Sequence, residues 1–514
     1  MGVISSGARS LTTDELTTRA AQAASGFIAE GVEPGDTVAL YLRNDLAYFE
    51  ASFGASQAGA FPVAVNWHYT EDEARYLFTD SGAKVVVIHA DLLTDPIRRA
   101  IPAGVKVIVV PTPPEIAAAY GLDPAACAAP PGAVVWTDWI ERYAPLNEAT
   151  PRAQGSTIIY TSGTTGRPKG VRRPPSTPEQ MALGGAILRR CYGFDLCDPA
   201  DITTVVVGPL YHSAPNAHGS MAARLGANLV IMPRFDAEEL LRLIETKRVT
   251  HLNLAPIMFT RLLKLPEDVR RRYDVSSLMF TAHAAAPCPS PVKRAMIEWW
   301  GDVVNEYYGS TEMGNVTFIT AKEWLAHPGS VGRPMPEAEV RVIGPDQQDL
   351  PVREVGEVVC RIKGLVDFTY HGDPEKRRRA EKRGLIAPGD MGYFDEDGFL
   401  YLCDRANDMI ISGGVNIYPA EIEAELHRAP GVADCAVFGV PDDEYGEAVH
   451  AVVQPMPGAA LTEAEVRAFL RERMAGYKVP RQVEFQAELP REDSGKIFKR
   501  KLREPFWEGR ERRI

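Results

Sequence analysis

Tyr160-Thr-Ser-Gly-Thr-Thr-Gly-Arg-Pro-Lys-Gly170 follows a short apolar run, Ser156–Tyr160, that reads as a strand. From Thr161 to Gly170 the stretch holds three Gly, three Thr, one Ser, one Arg and one Lys. Small residues leave backbone N–H groups free to face a ligand, and hydroxyls and cations add donors, a chemistry suited to a polyphosphate. A Walker loop needs Gly, four residues, then Gly-Lys-Ser/Thr. Five residues after Gly163 stands Pro168, which excludes it. A Gly/Ser/Thr-rich segment can equally be a plain flexible turn, so the rest of the chain decides.

Upstream, Thr12-Thr-Asp-Glu15 is a capping box that opens a helix running to about Ile28. Pro34-Gly-Asp36 ends the segment and Thr37–Leu42 follows as a buried strand. The cycle repeats through helices at about 46–58 and 71–80 and strands Lys84–Ile88 and Val105–Val110. The Pro/Ala/Gly-rich run 111–132 reads as a surface loop. Downstream, strands are predicted at Thr204–Val207, Asn228–Met232, His251–Leu254, Leu278–Thr281 and Val303–Tyr307, with a helix over Asp236–Thr246. This alternation predicts an α/β fold with mostly parallel sheets. From about Val340 the texture changes to short strands, Glu339–Ile343, Glu357–Lys363 and Phe399–Leu402, which suit a β-rich subdomain.

Near residue 405 the texture changes again. A helix over Pro419–Arg428, strands Val432–Val440 and His450–Gln454, a helix over Thr462–Ala475 and a strand Gln482–Glu488 describe a small α+β domain. The expected organisation is a large N-terminal domain over 1–405, built of βα-wound sheets plus the β-rich subdomain, then a connection at 406–408 and a C-terminal domain over 409–514.

At 514 residues, 45% hydrophobic and 24% charged, the chain is ordinary globular protein with more than one domain. A net charge of −12 argues against a general nucleic-acid binder. Seven scattered cysteines without a C-x-x-C pair read as reduced thiols, not as a disulfide or zinc framework. No signal core and no run near 18 apolar residues is visible, so a soluble cytoplasmic protein is expected, with at most weak membrane-surface association. Gly2 with Ser6 fits a myristoylation pattern too short and common to weigh. The basic run Lys376–Arg383 (KRRRAEKR) reads as a solvated helix.

Five stretches carry chemistry, in a fixed order. They are the 161–170 loop, Pro209-Leu-Tyr-His-Ser213, Asn305-Glu-Tyr-Tyr-Gly-Ser-Thr-Glu312, Gly389–Gly398 continuing through Arg405 to Asn416, and Pro490-Arg-Glu-Asp-Ser-Gly-Lys-Ile497. Tyr308 offers an aromatic face for a base and Glu312 a hard oxygen for Mg²⁺. Asp390 can accept ribose hydroxyls, Arg405 can donate to ribose or phosphate, and Lys496 can reach a developing negative charge. Each alone also has a plain reading: an N-cap for Ser-Thr-Glu, a turn for Gly-Asp-x-Gly, an inert surface lysine.

Together they resemble the adenylate-forming superfamily of acyl- and aryl-CoA synthetases, peptide-synthetase adenylation domains and firefly luciferases, in the right order over nearly the whole chain. YTSGTTGRPKGV is similar to its phosphate loop, YYGSTE to its adenine/magnesium motif and GDMGYFDEDGFLYLCDR to its ribose motif. DMIISGGVNIYPAEIE resembles the start of its mobile C-terminal domain, and SGKIFKR its catalytic-lysine motif. The resemblance implies ATP-dependent activation of a carboxylate as acyl-AMP, then transfer to coenzyme A. It implies ATP contacts from Thr161, Ser162, Gly163, Thr164, Thr165, Gly166, Lys169, Tyr308, Gly309, Thr311, Asp390, Arg405 and Lys496. Lys496, His212, Thr311 and Glu312 would serve catalysis, and Glu312 would hold Mg²⁺.

An acyl pocket would be lined by His212, His283, Ala284, Ala285 and Ala286. The hinge would lie at Asn407, where the family usually has Asp or Lys, and Ser412, Gly413, Gly414, Lys478 and Arg481 would meet CoA. Pro388 stands where Thr commonly precedes Gly-Asp. No cation in these stretches matches a substrate ammonium or second carboxylate, so an apolar acid is expected: fatty, aryl-alkanoic or a steroid side chain. A carrier-protein ligase, a luciferase-like oxygenase and an adenylate-binding sensor are the alternatives, and a homodimer is left open. The sensor reading is opposed by the presence of both Lys496 and Glu312.

Overall fold

The computed structural model describes residues 2–147, 152–161, 168–405, 408–412, 415–442, 444–491 and 497–508, with Asp404, Arg405 and Asn416 described for backbone only. β-Branched runs separated by helices pair in parallel, because a crossover helix returns each strand to the same edge. Thus Ile158–Thr161, Phe61–Ala64, Thr37–Tyr41, Val85–His89, Lys106–Val110 and Val134–Val135 form one parallel run. Lys169–Arg172 and Thr369–Tyr370 extend it antiparallel at one edge.

A second sheet begins with a parallel block in the order Val3–Ser6, Asn228–Ile231, Thr203–Val206, His251–Leu254, Phe280–His283 and Val304–Ser310. It then turns antiparallel through Gly314–Ile319, Ser330–Pro334, Leu400–Arg405, Asp390–Phe394 and Gly356–Ile362, the expected β-rich part.

The helix Leu46–Gln57 is buried on every side through Ser56, the behaviour of an apolar helix in a core and not of an amphipathic surface one. Gly54 lets it approach the helix Thr13–Ala29: a Cβ there would lie 2.6 Å from Ala23 Cβ and 2.9 Å from the Ala20 carbonyl. The smaller C-terminal unit pairs Val432–Asp442 with Gly446–Pro455, adds Ile410–Ser412, Val415–Ile417 and Gln482–Phe485, and covers the sheet with helices Pro419–Leu426, Glu463–Arg471 and Lys499–Trp507. Ile410, Ile422, Leu426, Val437, Val449 and Leu470 are central to its core.

Several expectations need correction. The run 111–132 is no plain loop: helices occupy Pro114–Tyr120 and Pro124–Cys127, each with proline in its first turn, where the missing N–H costs nothing. The predicted strand Leu278–Thr281 is displaced to Phe280–His283, because Leu278 closes a turn onto the Val275 carbonyl. The helix predicted to reach Ala475 ends at Arg471. The terminal hairpin Val3–Ser6 with Arg9–Thr12 is too short and polar to be read from sequence alone. The basic run 376–383 is not a solvated helix. Helix Pro374–Arg379 is followed by the short strand Glu381–Lys382, and Arg377 is buried against Asp367 and Glu381.

Beneath the second sheet's parallel block lies a buried ion pair. Lys293 Nζ sits 2.5 Å from Glu306 Oε2 and 4.9 Å from the centre of the Trp324 ring, with His283 Nε2 3.4 Å from the same carboxylate oxygen. Burial pushes the Glu306 carboxyl up, and Lys293 pulls it back. Removing one partner strands the other charge in the core. Lys293→Met is therefore expected to destabilise the fold by about 3–5 kcal/mol, read as a fall in the denaturation midpoint, and the Lys293→Met/Glu306→Gln double variant should recover most of it.

Candidate active site

Ligands in open α/β folds collect outside the carboxyl ends of the strands, and the candidate residues lie there. Thr161 ends the strand Ile158–Thr161, and its hydroxyl donates to Glu312 Oε1 at 3.3 Å. The same oxygen accepts from the Tyr370 hydroxyl at 3.2 Å. The Glu312 and Thr311 carbonyls are gripped by Arg173 Nη2, at 2.7 and 2.8 Å. Burial pulls the Arg173 guanidinium below its usual pKa, with Glu312 and then Asp367 opposing. Arg173 and Tyr370 went unread in the sequence. The signal for the first was the arginine pair directly after the loop; Tyr370 had none.

Thr311 and Glu312 follow a strand that is bulged between Tyr308 and Gly309. At Gly309 a Cβ would meet the Gly314 carbonyl at 2.3 Å, so only glycine permits this turn. The Ser310 hydroxyl accepts from the Glu312 and Met313 amides at 3.2 and 3.3 Å and fixes the start of the Glu312 segment. Tyr308 meets the third stretch: its hydroxyl donates to Asp390 Oδ2 at 2.5 Å. The Tyr308 ring and the Asp390 carboxylate are thus tied by a charge-assisted bond. Lys169 opens the strand Lys169–Arg172, opposite Thr161 in register, with its ammonium near the Tyr76 hydroxyl.

His212 lies at the end of a turn held by a buried polar network. Asn44 Nδ2 donates to the Gly208 and Met232 carbonyls at 3.0 and 3.1 Å, and its Oδ1 accepts from Leu210 N at 2.9 Å. Tyr48 and Asn216 both donate to the Leu210 carbonyl, at 3.1 and 2.9 Å, and Asn216 donates to the Tyr48 hydroxyl at 2.6 Å. His212 is the N-cap residue of helix Ser213–Leu225, its ring 4.5 Å from Tyr211, which is edge-on to Trp67.

The other predicted pocket residues divide. His283 is completely buried, edge-on to Phe259, and burial holds its imidazole well below the usual pKa, with Lys293 adding to this. It belongs to the core beside the Lys293–Glu306 pair. Ala284 is buried, Ala286 half-buried and Ala285 exposed with φ at +76°. A left-handed alanine costs about 1–2 kcal/mol, the kind of local strain that persists at functional sites.

Comparison with known proteins settles what this arrangement belongs to. The profile of the AMP-binding enzyme family matches residues 3–367, and the profile of the AMP-binding enzyme C-terminal domain matches 421–496. This chain belongs to the AMP-binding enzyme family. It is 35% identical to a feruloyl-CoA synthase of an Amycolatopsis species, over 97% of this chain and 95% of that one. It is 32% identical to a fatty acid–[acyl-carrier-protein] ligase of Streptomyces coeruleorubidus, over 98% and 93%. Its fold matches ATP-bound MatB from Rhodopseudomonas palustris with a TM-score of 0.83 and 28% identity, over 98% of this chain and 96% of that one.

Of the remaining residues expected from the family pattern, Ser162, Gly163, Thr164, Thr165, Gly166, Asn407, Gly413, Gly414 and Lys496 lie outside the described residues, as does the Arg405 side chain. Flanking Lys496, Arg491 and Ile497 form a bridge and Phe498 N donates to the Pro490 carbonyl at 2.8 Å. Arg491 pairs with Asp434, and Lys499 with Glu423 at 2.8 Å. Ser412 ends a strand and pairs with Val415 and Gly446. Lys478 and Arg481 already hold carboxylates, Glu421 at 2.7 Å and Asp442 at 2.6 Å. No helix among the described residues is long and apolar enough to cross a membrane, and no disulfide joins any of the seven cysteines, all of which are among the described residues.

The turn before His212 makes a test of the polar network. Asn216→Ala leaves the Leu210 carbonyl and the Tyr48 hydroxyl each short of a buried donor, which costs about 1–3 kcal/mol. A lower melting temperature is expected, together with a higher KM for the organic acid and an unchanged KM for ATP.

Proposed function

We propose that this chain is an ATP-dependent acyl-CoA ligase for an apolar carboxylic acid. The carboxylate oxygen attacks the α-phosphorus of ATP, the bond to the bridging oxygen breaks, and pyrophosphate leaves with the electron pair. The thiolate of CoA then attacks the acyl carbonyl and AMP departs. The observation that carries this reading is a pair of hydrogen bonds made from one short segment, Glu312 with Thr161 and Tyr308 with Asp390. Three stretches that resemble phosphate, adenine and ribose motifs meet where one nucleotide would lie.

The first step sets an anion against a polyanion, so prearranged positive charge and donors are the main catalytic requirement. Lys169 and the hydroxyls and amides of 161–166 receive the leaving phosphates, and Lys496 supplies charge near the reacting phosphorus. Thr311 and Gly309 shape the nucleotide-facing turn, while Arg405 and Asp390 orient the ribose. The Glu312 carboxylate beside the Thr161 hydroxyl is a hard-oxygen donor set that fits Mg²⁺. That ion, when bound, supplies neutralisation of phosphate charge. His212 borders the entry of the substrate carboxylate, and Ala284, Ala285 and Ala286 leave volume beside it.

For the second step, rotation about 406–408 exchanges Lys496 for the 412–416 face, which with Lys478 and Arg481 receives CoA. The two family profiles end at 367 and resume at 421, on either side of this segment, in support of domains at 1–405 and 409–514. A cytoplasmic setting fits seven cysteines outside any disulfide. A homodimer and weak membrane-surface association are carried as further parts of this reading. Two observations favour a second acceptor: Lys478 and Arg481 are both engaged by carboxylates, and a relative at 32% identity is named as an acyl-carrier-protein ligase.

A panel of fatty, aryl-alkanoic and steroid side-chain acids, assayed for pyrophosphate and AMP with and without CoA, tests this. Pyrophosphate release with at least one acid, and AMP release that rises with CoA, are expected. Silence with every acid would remove the ligase reading. Pyrophosphate release unaffected by CoA, with acylation of a carrier phosphopantetheine, would change the acceptor. Lys496→Ala is expected to lower adenylation by about 10²–10³-fold, the usual effect of losing one well-placed donor, while thioester formation from premade acyl-AMP persists. Equal loss of both half-reactions would contradict the exchange of faces.

A further inference from the structure

Within the basic run 376–383 the side chains separate by partner. Arg377 is buried and neutralised by Asp367 and Glu381. Arg378 pairs on the surface with Glu375, and Arg379 is exposed. Lys376 differs from all three. It is half-buried, and no carboxylate among the described residues lies within 4.0 Å of its ammonium. Its Nζ stands 4.5 Å from the centre of the Tyr370 ring. The hydroxyl of that ring is 3.2 Å from Glu312 Oε1, the oxygen that also accepts from Thr161. Lys376 therefore borders the Glu312 cluster across one aromatic ring.

The backbone fixes this placement. Tyr370 is registered against Val171 on the strand that Lys169 opens, and His371 N donates to the Gly170 carbonyl at 2.7 Å. Asp373 then caps the helix by accepting from Lys376 N at 3.0 Å. The two lysines thus share one sheet edge on rigid elements. Their electrostatics agree with that geometry: burial lowers the Lys376 pKa, Glu312 and Asp373 raise it, and Lys169 lowers it again by repulsion. Glu312 acts on both Lys376 and Arg173, Lys169 and Arg379 repel Lys376, and Asp373 and Asp367 are the further carboxylates beside these cations. Partly desolvated like charges are unfavourable until an anion arrives.

We infer that Lys376 is a further phosphate-binding cation of the nucleotide site, aimed with Lys169 at the β- and γ-phosphates that leave as pyrophosphate. This rests on the ATP-dependent reading above. It assigns to the basic run a role in holding the leaving group, and it extends the phosphate site beyond the Gly/Thr loop to a residue about 200 positions later in the chain.

Binding of magnesium pyrophosphate, magnesium ATP and AMP to the full chain, measured by calorimetry, tests it. Lys376→Met is expected to weaken pyrophosphate and ATP by about 10-fold or more, the loss of one charge-assisted contact, and to leave AMP affinity unchanged. Lys376→Arg should restore most of the loss, and Lys376→Gln serves if the methionine variant folds poorly. Unchanged pyrophosphate affinity in the variants overturns the inference. An equal fall in AMP affinity also overturns it, because Lys376 would then only support the fold. Wild-type protein that binds neither ATP nor pyrophosphate would instead overturn the proposed function itself.

Discussion

One carboxylate oxygen carries the junction on which the rest depends. Glu312 Oε1 accepts from Thr161, 151 residues earlier, and from Tyr370, 58 residues later. Those partners belong to the first sheet and its antiparallel edge, whereas Glu312 follows a strand of the second. Two sheets that share a hydrophobic core are thereby also tied together at their carboxyl ends. Arg173 completes the joint by gripping the Glu312 and Thr311 carbonyls, a bond it can hold only because its burial is offset by nearby carboxylates. A geometry over-determined in this way keeps its donors aimed without reorganising when charge develops, the condition for electrostatic catalysis.

Much of this was legible in the chain. Alternating strands and helices announced the parallel sheets because buried strands and amphipathic helices have different periods. The capping box at Thr12–Glu15 marked its helix to within one residue. Ordered motifs singled out Thr161, Tyr308, Glu312 and Asp390 one by one; that Thr161 bonds to Glu312 and Tyr308 to Asp390 was encoded in no motif. What escaped depends on contacts that no local pattern encodes. His283 looked like a pocket wall because it adjoins three alanines, but side chains alternate along a strand and its own turns into the core. The run 376–383 looked solvated by composition, yet partners at Asp367 and Glu381 draw Arg377 inward. Prolines 114 and 124 looked like breakers and are helix starters.

The buried polar groups divide into two populations, and the division explains where chemistry can occur. Beneath the parallel block Lys293 pairs with Glu306, and around the His212 turn Asn44, Tyr48 and Asn216 hold the Gly208, Leu210 and Met232 backbone. Such networks specify shape. At the strand ends the opposite holds. Lys376 and Arg173 flank a carboxylate already satisfied by two hydroxyls, and Lys376 stands within repulsive reach of Lys169. That repulsion is unfavourable in the free protein and is relieved by a polyphosphate, a differential interaction that binding can use.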